Sequence, residues 1–324
     1  MKSVISRPIL TGVLFLALSS GVAFAQEASP GPRSRPEPQV SSSASTVPVS
    51  MIVSVEAKYG KEIPEVSRED VIVYQEHDRV RVTDWVPLQG DQAGLLLFLL
   101  IDESTTSSIG LQFDDIRQFI DAQPATTAIA LGYMRNGTVE IAQNFTTDHA
   151  LAEKALRLPM GFTGGLASPY LSVTDVMKRW KESTQRREIF IVSDGIDPLQ
   201  PGLTNSYLDE AIDVAQRTGI QIYTIYASSI GHFGHTFWRI TVAQSNLSRL
   251  ADETGGEAYF QGLETPIAFA PFLNEFADRL RHQYRLTFLA KAHPKAAYQR
   301  IRLQTEVKNA QLVAADRVYV PAAK

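Results

Sequence analysis

The sequence predicts an α/β fold, a doubly wound and mostly parallel sheet with β segments on either side. Three observations predict it. Leu95–Ile101 (LLLFLLI) is an unbroken apolar run, the pattern of a strand buried on both faces of a parallel sheet. Arg187–Ser193 (REIFIVS) and Ile220–Tyr226 (IQIYTIY) are similar strands, and helix-periodic segments separate them, as βαβ units require. The flanks alternate apolar and polar residues instead: Met51–Ala57, Val71–Tyr74 and Val80–Val86 ahead, Arg285–Ala290, Gln299–Val307 and Leu312–Val320 behind. Neither flank has enough strands for a closed core, so 51–88 and 285–320 are candidates to pair into one β-sandwich around the α/β domain.

From the start of the chain, Lys2 and Arg7 supply a positive segment ahead of the apolar run Ile9–Ala17, and Ala23-Phe24-Ala25 supplies a cleavage site. Residues 1–25 therefore read as a signal peptide, and the mature protein as exported, periplasmic or secreted. The apolar run falls short of the roughly 20 residues a spanning helix needs, and no later stretch approaches that length. Residues 26–50, rich in Pro, Ser and Ala without a period, read as a disordered tether. The β unit 51–88 follows, then the α/β domain over 92–284 and a β segment over 285–324. Inside the domain, Phe113, Ile116, Phe119 and Ile120 share one helix face, Thr127–Met134 is a strand, and Asn136-Gly137 marks a hairpin. Helices are predicted at about 147–158, 169–183, 205–218, 241–254 and 266–283, with Gly219 and Gly255-Gly256 as stops and Ala258–Phe260 a short strand.

Composition narrows the function classes. The 324 residues are 44% hydrophobic and 20% charged, enough to bury a core. Lys plus Arg is 31 against Asp plus Glu 35, net -4, without the basic excess of a bulk nucleic-acid binder. Cysteine is absent, which excludes disulfides, thiolate metal sites, a cysteine nucleophile and a lipidated N-terminal Cys.

In a doubly wound sheet, ligands gather beyond the carboxyl ends of the strands, where strand order reverses. Three segments place oxygen-bearing residues there: Asp102-Glu103-Ser104-Thr105-Thr106, Gly164-Gly165-Leu166-Ala167-Ser168-Pro169, and Ser193-Asp194-Gly195. The chemistry is that of a hard cation, because Mg²⁺ takes oxygen ligands and is held by one or two carboxylates plus neutral oxygens. Asp102 and Asp194 supply charge; Ser104, Thr106 and Ser168 supply hydroxyls. Helix capping accounts for the same residue types, and Ser168-Pro169 is a good N-cap followed by Pro at N1. The two roles are compatible.

This arrangement resembles the von Willebrand factor A (VWA) domain and its metal-ion-dependent adhesion site, whose motif is Asp-x-Ser-x-Ser, a loop Thr before a helix, and a later Asp-Gly. Here Asp102-Glu103-Ser104-Thr105-Thr106 carries Thr for the last Ser, and Asp194-Gly195 matches. Ser168 is aligned with the loop Thr; Thr163 is the competing hydroxyl, and Leu166 stands where many relatives carry Thr. Ser67–Tyr74, Leu250–Gly256 and Arg281–Tyr284 are similar to phrases of a bacterial secreted VWFA-related family, so the resemblance covers about 50–320. It implies a VWA/Rossmann-like fold, Mg²⁺ (or Mn²⁺ or Ca²⁺) held by Asp102, Ser104, Thr106, Ser168 and Asp194, and a protein partner able to supply an acidic ligand.

Outside the motif, His232, Phe233, His235, Phe237 and Trp238 form an aromatic loop after the fifth strand, read as a partner-recognition loop. It is the basis of an alternative function, a metal-independent structural or assembly protein binding through 230–238. Its His-x-x-His spacing lies between glycines and does not suit a helical metal pair. Asp197 reads as a solvated turn residue before Pro198. Glu103 beside Asp102 cannot flank one bond with it, since adjacent extended residues point apart. No Gly-x-Ser-x-Gly elbow and no G-x-G-x-x-G loop is present, so a binding protein is expected and not an enzyme.

Overall fold

The computed structural model describes residues 45–161, 168–229, 236–259 and 264–323. In chain order the strands are β1 (Thr46–Ala57), β2 (Val71–Gln75), β3 (Asp78–Pro87), β4 (Leu95–Asp102), β5 (Thr127–Arg135), β6 (Thr138–Thr146), β7 (Arg186–Ser193), β8 (Ile220–Tyr226) and β9 (Ala258–Tyr259). The last four are β10 (Gln283–Lys291), β11 (Ala297–Thr305), β12 (Ala310–Val313) and β13 (Arg317–Val320). The helices are α1 (Phe113–Asp121), α2 (His149–Lys154), α3 (Pro169–Arg179), α4 (Ser206–Thr218), α5 (Phe237–Thr254) and α6 (Ala270–Arg281). None of the described helices is long and apolar enough to cross a membrane.

Two sheets organise these elements. The larger is antiparallel, with seven strands in the order β12-β1-β10-β3-β2-β11-β13. Alternation in β1 turns Val49, Met51, Val53 and Val55 into a core shared with Val73, Leu286, Phe288 and Val320. β12 and β13 are its opposite edges, yet only residues 314–316 separate them in the chain. A flat sheet of this size is about 29 Å across at ~4.8 Å per strand. The link from Val313 to Arg317 reaches at most about 14 Å. The sheet therefore curls until its edges approach one another.

The smaller sheet has six strands in the order β6-β5-β4-β7-β8-β9, with β5 and β6 antiparallel and the other neighbours parallel. The apolar run of β4 is buried on both faces, as its pattern predicts. Leu95, Leu97, Leu99 and Ile101 pack with α1 and α6, while Phe98 and Leu100 pack with α3 and α4. Leaving β4 the chain moves outward to β5 and β6, then crosses back to β7. Strand order thus reverses between β4 and β7.

These sheets correct the predicted fold class. A doubly wound, mostly parallel α/β fold does not describe the chain, because the larger sheet is antiparallel and curled and the smaller one is mixed. The flanks do pair, β1 and β3 with β10 and β2 with β11, but into one sheet and not the two layers of a β-sandwich. The physical reason is that alternation specifies which face is buried and is silent about the partner strand. β1 also begins at Thr46, within the Pro/Ser-rich stretch. Pro48 is accommodated because β1 has only β10 beside it there, β12 joining from Ser54 onward.

The two sheets meet through a polar layer. Arg186 at the start of β7 donates to the Leu280 carbonyl at 2.7 Å and to the Gln283 side chain. Gln283 in turn donates to Gln221 at 2.9 Å. Arg279 is buried between Glu56 (2.7 Å) and Glu257 (2.8 Å). Glu188 is fully buried, and neither carboxylate oxygen has a hydrogen-bond partner.

Candidate metal centre

Asp102 is the last residue of β4, and Asp194 directly follows Ser193, the last residue of β7. Both therefore stand at the carboxyl edge beside the point of strand reversal, where the topology leaves a crevice. Asp102 is partly buried. Its Oδ1 accepts the Ser104 backbone N–H at 2.9 Å, and its Oδ2 accepts the Ser193 hydroxyl at 2.7 Å. The Ser193 Oγ also accepts the Gly195 N–H at 3.0 Å, so one hydroxyl ties both strand ends together. Asp194 is buried; its Oδ1 accepts the Ile196 N–H at 2.9 Å and its Oδ2 the Ser229 hydroxyl.

Electrostatics follow from this crowding. Burial, and next the nearby Asp194 carboxylate, push the Asp102 carboxyl up to about 6, against hydrogen bonds from Ser104 and Ser193 that stabilise its charge. Among the described residues no Lys or Arg pairs with Asp102. An all-oxygen donor set around two crowded carboxylates fits a hard divalent cation, which would relieve the repulsion that raises Asp102. The site is lightly charged: among the described residues no group of three or more His, Cys, Asp or Glu is placed to hold a metal.

The remaining predicted residues are held by contacts of their own. Ser168 is buried and caps α3, its Oγ accepting the Tyr170 N–H at 3.2 Å; the Tyr170 hydroxyl reaches the Gly195 carbonyl at 3.0 Å. Thus the start of α3 is fastened to the Asp194 strand end. Thr106 is tied by its N–H to the Ser228 carbonyl (3.0 Å), and its hydroxyl bonds to that of Ser108. His232, Phe233 and His235 lie outside the described residues, as do Thr163 and Leu166. Phe237 and Trp238 begin α5, where they are 71% and 58% exposed, so they are not part of the domain core.

Glu103 faces away from the site. It is buried, pairs with Arg157, and accepts the Met160 N–H at 2.6 Å. Asp197 is not solvated, as the turn reading expects, but buried: it accepts N–H groups from Leu199 and Gln200 and the Asn205 amide. Ser229 escapes the sequence argument, and Ser193 stands in a predicted segment without an assigned role. The signal was available, since each is a small hydroxyl residue at or just beyond a parallel strand's carboxyl end.

Comparison with solved structures gives matches of low identity. One is an aerotolerance-related membrane protein from Bacteroides fragilis (11% identity, 58% of this chain and 98% of that one, TM-score 0.43). Another is the ArnB paralog VWA2 from Sulfolobus acidocaldarius (11%, 85% and 76%, TM-score 0.41). A third is the vWF domain of the type V pili tip protein Mfa5 from Porphyromonas gingivalis (14%, 61% and 95%, TM-score 0.41). The chain is similar to von Willebrand A domains. No protein-family model matches the sequence, and neither does any curated protein.

Proposed function

We propose that this chain is an exported protein-binding module, not an enzyme, whose adhesion site holds Mg²⁺, or Mn²⁺ or Ca²⁺, through Asp102, Ser104, Thr106, Ser168 and Asp194. The observation that carries the reading is the crowding of Asp102 against Asp194 at the strand reversal, inside a shell of hydroxyls and backbone amides. A cation held by two carboxylates and neutral oxygens keeps an electrophilic position open for an acidic side chain of a protein partner. The residues of this chain orient the carboxylates: Ser193 and the Ser104 N–H fix Asp102, and Ser229 and the Ile196 N–H fix Asp194. The signal-like segment 1–25 supports export.

A second reading, metal-independent assembly through the 230–238 loop, rests on the exposure of Phe237 and Trp238. Titration calorimetry separates the two. Under the metal reading the wild type binds Mg²⁺, Mn²⁺ or Ca²⁺ at up to millimolar concentration, and Asp102→Ala does not. If the wild type binds none of Mg²⁺, Mn²⁺ and Ca²⁺, or Asp102→Ala binds as well, the metal reading is wrong. The loop reading then predicts that Phe237→Ser with Trp238→Ser, and not chelator, abolishes partner capture.

A further inference from the structure

We infer that the curled sheet carries an anion site, built from Arg68, Arg79 and Arg81, that takes a phosphate monoester. The site lies on a different sheet from the Asp102 centre and does not depend on it.

The ladder between β2 and β3 runs only from Gln75–Asp78 to Val73–Val80. Beyond Val80, β3 continues to Pro87 with β10 paired on one side, while the chain before β2 turns through Ser67–Asp70. Between these segments lies a cleft of about 620 Å³, lined by Arg68, Glu69, Val71, Arg79, Val80, Arg81, Val82 and Thr83. Its size falls in the range of small-ligand pockets, roughly 300–1,000 Å³.

Charge gives the cleft its specificity. Val80 is buried while Arg79 and Arg81 are exposed, so strand alternation sets both guanidinium stems on one face, about 7 Å apart. Arg68 enters from the opposite wall, its Nη1 reaching toward the Thr83 carbonyl at 3.5 Å. Glu69 is held by Arg68 at 2.9 Å, which leaves the cleft net positive. Arg79 and Arg81 form no ion pair among the described residues. Neither does Arg302, which stacks 4.8 Å over Tyr74 on the neighbouring rung Arg302–Tyr74–Arg79 and extends the positive face. This concentration of arginine occurs on a chain whose net charge is -4.

The geometry selects a phosphate over a carboxylate. Guanidinium groups converging from two walls can serve several oxygens of a tetrahedral dianion, whereas a planar carboxylate is satisfied by one bidentate arginine. A phosphate monoester presents such a dianion either free in solution or as the headgroup of a lipid.

The test uses the folded chain with two probes, glycerol 3-phosphate by calorimetry and phosphatidylcholine vesicles doped with phosphatidic acid by co-sedimentation. Wild type is expected to bind at least one, and Arg79→Ala with Arg81→Ala to bind about tenfold more weakly or worse. Both side chains are exposed, so circular dichroism should show the variant folded. A control double variant, Arg117→Ala with Arg135→Ala on the other sheet's layer, removes equal charge and should bind like wild type. Loss of glycerol 3-phosphate binding identifies a free ester as the source; loss of vesicle binding alone identifies a lipid headgroup. The inference is overturned if neither probe binds, if the cleft variant binds as well as wild type, or if the control loses as much. Capture of an aspartate-rich peptide with no phosphate binding would also overturn it.

Discussion

At the scale of single residues, Asp102 and Glu103 show how neighbours in sequence acquire opposite tasks. An extended backbone sends Asp102 into the crevice and Glu103 beneath the loop that leads toward α3, where it holds Arg157 and the Met160 N–H. Glu103→Ala is expected to leave the part-buried Met160 N–H and the Arg157 guanidinium without their partner and to cost about 1 kcal/mol in urea denaturation. An unchanged midpoint would show that the clamp contributes nothing. Glu188 behaves differently. Burial raises its carboxyl above the usual 4.5, against opposing attraction from Arg186 and Arg279 and a contact with Gln283. The folded state therefore holds this proton more tightly than the unfolded chain, so stability falls as pH rises through and above the ordinary carboxylate range. Glu188→Gln should stabilise by on the order of 1 kcal/mol at about pH 8 and far less at about pH 4. A gain that is equal at both values would refute the assignment. The carboxylates of the candidate site were legible in the sequence because Asp102-x-Ser104 and Asp194-Gly195 directly follow apolar runs. Ser193 carries no such signal, because its hydroxyl gains meaning only when β4 and β7 are adjacent.

At the scale of elements, the turn after β7 depends on Gly195. Its φ of +70° lies in the left-handed region, and an added Cβ would stand 2.6 Å from Leu247 Cγ and 3.0 Å from the Ala243 carbonyl of α5. Gly195→Ala should destabilise the fold by more than about 1 kcal/mol and displace Asp194, weakening Mg²⁺ binding as well. If stability drops while ion affinity stays intact, the turn does not position the ligand. Apolar runs such as those of β4, β7 and β8 could be read from sequence, because burial on both faces leaves no polar position to obscure them. The predicted strand after Gln299 was harder to place. Its Ile301 faces the core, yet nothing in its alternation says that its neighbours are β2 and β13.

At the scale of the whole molecule, residues 44–324 form one compact unit in which the curled sheet draws strands from both flanks. A chain ending before β10 should leave Val49, Val53 and Val73 without their cover of Leu286 and Phe288. Limited proteolysis is expected to cut such a chain rapidly within residues 46–87 while the full chain resists. Equal resistance would mean that the first three strands hold without their partners. The pairing of β1 with β10 also sets a schedule for synthesis. Ser50 and Thr287, whose hydroxyls bond across that pair, are 237 residues apart. At ~5–20 residues per second, β1 waits about 10–50 s after translation for its neighbour to be made. For that interval the N-terminal strands are a nascent segment whose apolar residues lack β10, the strand that joins β1 to β3. Their survival then depends on whatever shields the growing chain, not on the closed sheet they finally enter.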